Sequence, residues 1–193
     1  MRFLSTLPLV CGLLLIRFVE LSAQDENDSK FVKPQLVGKY DDLLKLIKNS
    51  KAKIVFLNVW SIGCSPCMAE MPVLVNAAGV QYKENPDVAF IALCLGDEKA
   101  KPKANLEVCE KIVQKKAVPY PTLLWAGSLD ELRKHFDIQA TPYNAILTTD
   151  GQLLGELELP SDPQRAAAAL TASIEKALLK AGGAKADAEH SSK

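Results

Sequence analysis

The run KIVFLNVW at residues 53–60 constrains the fold more than any other stretch of the chain. Its apolar side chains are nearly continuous instead of alternating with polar ones. That is the pattern of a strand buried on both faces, so the sheet it joins needs cover above and below. Four residues beyond Trp60, Cys64 opens the motif CSPC. Pro66 in a first turn, then Met68, Met71, Leu74 and Val75 at helical spacing, predict a helix directly after Cys64. A pair of cysteines therefore sits between a buried strand and a helix N-terminus.

The remaining sequence alternates between the two periods without an internal repeat. YDDLLKLIKNS spaces Leu43, Leu44 and Ile47 as an amphipathic helix ahead of the apolar run. After the CSPC helix come a strand VAFIALCL, a helix NLEVCEKIVQKK, a strand PTLLW and a short helix through SLDELRKHF. YNAILTTDGQLLGELEL reads as two strands about the turn Asp150-Gly151, and a helix over 163–181 closes the domain. Strands alternating with helices, then a hairpin, predict an α/β fold with a mixed sheet and helices on both faces. A chain of 193 residues that is 48% hydrophobic is enough for one such domain over 36–181 with terminal extras.

At the N-terminus, Arg2, an apolar run from Leu7 to Ile16, and small residues at Ser22 and Ala23 read as a signal peptide over 1–23. A polar linker over 24–35 follows. The apolar run is about ten residues, short of the roughly twenty that span a bilayer, so no stable membrane span is expected after cleavage. Arg17 and Glu20 fall late for a leader, which keeps an uncleaved anchor as the alternative. Cys11 has further leucines after it, where a lipid-bearing cysteine would end the apolar segment. Export, periplasmic or secreted, leaves Cys64, Cys67, Cys94 and Cys109 in an oxidising compartment. Residues 182–193 lack large apolar side chains and are expected to form a disordered tail. With 23 basic and 23 acidic side chains, nothing in the charge favours nucleic acid as a partner.

C-x-x-C alone suits a metal, a structural staple or thiol exchange. Its place after a strand and at a helix start narrows the choice, because free N–H groups and partial positive charge there favour thiolate over thiol. Cys64 is then the acidic, exposed nucleophile, and Cys67, one turn later and facing inward, the resolving thiol.

NVWSIGCSPCMAEMP together with IQATPYNAILTTDGQLLGE resembles the exported TlpA/ResA-like thiol-disulfide oxidoreductases of the thioredoxin fold, over roughly residues 36–178. The resemblance implies a thioredoxin-like sheet, Cys64 attacking, Cys67 resolving, and a redox-active disulfide between them. It places Trp60 as the aromatic before the motif, Pro72 as the proline that kinks the active-site helix, and Pro142 as a cis-proline facing the dithiol. The Thr141 backbone beside that proline is then the edge on which an extended substrate pairs as an added strand. The family's interior acidic position falls on Asn58, and Glu70 matches the acid this branch carries instead, a proton shuttle for Cys67. The bland alternatives are a helix-dipole glutamate at Glu70, a core aromatic at Trp60 and a trans turn proline at Pro142. Expected partners are protein thiols or disulfides and an upstream redox partner; no cofactor or metal is expected.

Cys94, late in a strand, and Cys109, on a helix face with Leu106, Ile112 and Val113, admit three states: buried thiols, a structural disulfide, or a relay with Cys64. Two other functions compete with thiol exchange. A peroxiredoxin-like peroxidase needs a threonine three residues before its cysteine, where Ser61 stands. A metal carrier needs further ligands, and neither His135 nor His190 has metal-ligand spacing to the cysteines.

Overall fold

A computed structural model describes residues 31–190, with side chains described as far as 182. The signal peptide and residues 24–30 of the linker lie outside the described residues. The chain runs β1 (Gln35–Val37), α1 (Tyr40–Asn49), β2 (Ile54–Ser61), α2 (Ser65–Asn76), β3 (Val88–Leu95), α3 (Pro102–Lys115), β4 (Thr122–Trp125), α4 (Leu129–Arg133), β5 (Tyr143–Thr148), β6 (Leu153–Leu157) and α5 (Pro163–His190). The strands form one mixed sheet in the order β1-β4-β3-β2-β5-β6. β1 through β4 pair in parallel, and β5 and β6 close the other edge antiparallel.

β2 is central, with β3 on one side and β5 on the other, and Ile54 through Trp60 are all buried. That is what its continuous apolar run required. One face of β2 presents Ile54, Phe56 and Trp60 to a core shared with Leu74 of α2, Cys109 of α3, and Leu170 and Ile174 of α5. The opposite face presents Val55, Leu57 and Val59 to Leu43 and Ile47 of α1 and Leu132 of α4. Both faces of the sheet are covered, as the sequence predicts.

Two boundaries differ from expectation. The sheet begins at Gln35, inside the expected linker, because this three-residue strand pairs with β4 from Gln35↔Leu123 onward. The closing helix continues to His190 where a disordered tail was expected. Ala184, Ala186 and Ala188 favour a helix there, against the cost of Gly182 and Gly183.

Pro72 lies inside α2 and has no N–H to give to the carbonyl of Met68, four residues earlier. Lys116, at the end of α3, donates its ammonium to that Met68 oxygen at 3.3 Å. A five-residue π-helical turn, Ala77–Gln81, then carries the chain out of α2.

Candidate active site

β2 ends at Ser61, and Gly63 takes a φ of +86° in the turn that follows, a left-handed geometry suited to glycine. Cys64 is the N-cap of α2: its sulfur accepts the backbone N–H of Cys67 at 3.2 Å, and its carbonyl accepts that of Met68. Cys64 and Cys67 are joined by a disulfide, with Cα atoms 5.3 Å apart. Cys64 is half-buried, whereas Cys67 is 1% exposed. The first sulfur meets solvent and the second faces the core, the division the helix geometry predicts.

The Thr141–Pro142 bond is cis. The Thr141 carbonyl oxygen lies 3.5 Å from Cys64 Sγ, which brings the proline loop against the disulfide. Ser61 Oγ and Thr141 Oγ1 share a hydrogen bond of 2.8 Å that ties this loop to the end of β2. Trp60 requires a correction. It is 0% exposed, on the same sheet face as its β3 neighbour Cys94, so its indole is core and offers no surface to a substrate.

Glu70 is 9% exposed, one turn beyond Cys67. Asn58 of β2 donates to its Oε1 at 3.0 Å, and Asn144 of β5 donates to Oε1 at 3.3 Å and Oε2 at 3.4 Å. Burial pushes the carboxyl up from its ordinary 4.5 to about 6, while the bonds from Asn144 and Asn58 pull the other way. A value there allows the group both to give and to take a proton near neutrality. A cavity of about 140 Å³ opens beside Glu70, between Pro66 and Ala69 of α2, Pro142, and Leu159 and Pro163 ahead of and opening α5. Asn144 is the site residue that the sequence reading missed. Its signal was a polar residue interrupting an apolar strand two positions after Pro142.

Cys94 and Cys109 are free, buried thiols, each 0% exposed. Burial raises the Cys94 thiol far above its ordinary range, and the adjacent Cys109 adds to the effect. Cys94 is therefore a poor nucleophile, and burial keeps both sulfurs from solvent. His135 stacks on Tyr40 with ring centroids 3.5 Å apart, on the α1 and α4 side of the sheet. Among the described residues no three His, Cys, Asp or Glu side chains group as metal ligands, and no helix is long and apolar enough to cross a membrane.

No family model matches the chain. It is 31% identical over 128 residues to the thiol-disulfide oxidoreductase ResA of Bacillus thuringiensis subsp. konkukian, covering 66% of this chain and 65% of the relative. ResA of Bacillus cereus matches with the same identity and coverage. The chain thus spans a little under two thirds of the length of these curated relatives. Among solved structures, a hypothetical protein from Sinorhizobium meliloti 1021 superposes with a TM-score of 0.58 at 19% identity, covering 70% of this chain and 74% of its own. A thioredoxin-family thiol:disulfide interchange protein from Chlorobium tepidum TLS superposes with a TM-score of 0.51 at 17% identity, covering 67% of this chain and 83% of its own. The fold is the thioredoxin fold.

Proposed function

We propose that this chain, a ResA-like thioredoxin-fold protein, exchanges electrons with protein thiols and disulfides through Cys64 and Cys67 in an extracytoplasmic compartment. One observation carries the reading. A disulfide at a helix N-terminus, with one sulfur open and one buried, faces a cis-proline loop and has a buried carboxyl one turn below.

In the reducing direction the Cys64 thiolate, favoured by the free N–H groups of α2, attacks a substrate disulfide. A bond forms between Cys64 Sγ and one substrate sulfur, and the other substrate sulfur leaves and takes up a proton. Cys67 then gives its proton to the Glu70 carboxylate and attacks Cys64 Sγ. The intramolecular disulfide forms, and the first substrate sulfur leaves to be protonated in turn. Two electrons pass from the dithiol to the substrate. In the oxidising direction a substrate thiolate attacks Cys64 Sγ, the accessible sulfur, and Glu70 returns a proton to the departing Cys67. A second substrate thiolate then attacks the substrate sulfur of the mixed disulfide, forming the substrate disulfide and releasing Cys64 as thiolate. The relative potentials of chain and partner set which direction runs. The Thr141 backbone, 3.5 Å from Cys64 Sγ, supports strand-like pairing of the substrate segment across the site. The leader-like residues 1–23 support export.

The experiment mixes the reduced chain with a disulfide-bonded model protein and follows loss of the substrate disulfide. The proposal expects one substrate disulfide reduced per chain, none in Cys64→Ser, and slower exchange with a flatter pH profile near neutrality in Glu70→Gln. No transfer by the parent chain in either direction, from substrate disulfides or to the chain's own disulfide, would overturn it.

A further inference from the structure

We propose that Asn144, backed by Asn58, is a positioning residue that presents Glu70 to Cys67 as an ionised proton acceptor. The inference rests on the dithiol-exchange reading and adds to it the group that makes its buried carboxylate usable.

β2 and β5 pair antiparallel with Asn58 directly opposite Asn144. Both side chains lie on the α2 face, and each residue is 2% exposed. Two amides side by side in an apolar sheet face are costly unless each is bonded. Here the bonds run in one direction. Asn58 gives one amide hydrogen to Glu70 Oε1 and the other to Asn144 Oδ1 at 2.8 Å. With its own oxygen engaged in that way, Asn144 turns its amide nitrogen to Glu70 and straddles both carboxylate oxygens. Rotating the Asn144 amide to offer an oxygen to Glu70 would set two amide nitrogens against each other at the Asn58 contact. The pair therefore presents Glu70 with donors alone. Donors satisfy a carboxylate, whereas a protonated acid needs an acceptor for its own hydrogen. Burial acts in the opposite sense and favours the neutral acid. The donor pair offsets part of that, so that Glu70 sits near neutrality instead of staying protonated.

The other titratable groups around this site are few. Cys67 lies on α2 itself, Tyr120 precedes β4 and is electrostatically coupled to Glu70, and Cys94 and Cys109 lie in the same core. Lys116 of α3 is engaged with the Met68 carbonyl. From α5 and the segment before it, the neighbours beside Glu70 are Leu159, Pro160, Ser161, Pro163 and Ala166, none of which titrates. Among these neighbours the two amides are the direct hydrogen-bond partners of the carboxylate.

Rapid mixing of the reduced chain with Ellman's reagent reads the two steps separately. The first thionitrobenzoate released reports Cys64 attack, and the second reports resolution by Cys67. Asn144→Leu removes the donors at similar volume. It should move the acid limb of the second release up by about one pH unit, slowing that step about tenfold below the limb, and leave the first release unchanged. Asn144→Ser, which keeps one hydroxyl donor, should fall between the two. In a Glu70→Gln background the limb should be absent, and adding either substitution should move nothing. If Asn144→Leu does not fold, Asn144→Ser decides alone, with the Glu70 carboxyl titration followed by carbon-13 NMR and expected to move upward. An unmoved limb, an unmoved titration, or a shift that persists without Glu70 would each overturn the proposal. Failure of the underlying reading looks different: the parent chain itself would then show no second release.

Discussion

Replacing Glu70 with glutamine should change how the stability of the oxidised protein depends on pH. Burial lifts the Glu70 carboxyl from 4.5 to about 6 in the folded chain, even against the bonds from Asn144 and Asn58. The folded state therefore holds this proton more tightly than the unfolded chain does, by roughly 2 kcal/mol. Linkage fixes the sign. The stabilisation from the bound proton is complete below the unfolded value near 4.5 and is lost as pH rises through about 6. The parent should thus lose about 2 kcal/mol from this group between about pH 4 and pH 7.5, and Glu70→Gln should not. The unfolding free energy of the variant minus that of the parent should rise by the same amount, or by several degrees in Tm for a domain of this size. Other titrating groups cancel in the difference. Guanidinium unfolding of both oxidised proteins, followed by fluorescence across that pH range, makes the measurement. A flat difference would refute the claim that Glu70 ionises in a desolvated site. A falling difference would mean that the donors outweigh burial.

Two further outcomes follow from the same structure. Cys94 and Cys109 should resist iodoacetamide in the native oxidised protein and both label once it is denatured without reductant; no labelling after denaturation would mean a second disulfide in place of two thiols. Lys116→Met should destabilise the chain by about 1 kcal/mol, because the Met68 carbonyl left without a partner by Pro72 loses its donor; chemical denaturation with no change in midpoint would contradict that account.

The parts of this molecule legible in the sequence are those that local pattern dictates. β2 and β3 are continuous apolar runs long enough to be strands buried on both faces, and α2 announces itself by Pro66 and the spacing of its apolar side chains. β1 carries no such pattern. It has three residues, two of them exposed, and exists because β4 offers an edge to pair with. At the site, the spacing from Cys67 singles out Glu70, but only the β2 and β5 register places Asn144 opposite Asn58. Trp60 illustrates the same limit. Its position before the motif suits either the rim or the core, and strand parity beneath α2 and α3 puts it in the core. The state of Cys94 and Cys109 depends on how α3 docks on β3, which no local pattern encodes.

Dithiol exchange through Cys64 is tested most directly by isolating its covalent intermediate. The Cys67→Ser chain, reduced and mixed with a disulfide-bonded protein, lacks the thiol that would release the mixed disulfide. Non-reducing electrophoresis followed by peptide mapping should show one adduct per chain, bonded through Cys64, released by dithiothreitol and absent when Cys64 is also replaced by serine. An adduct through Cys94 or Cys109, or no adduct at all, would contradict the account.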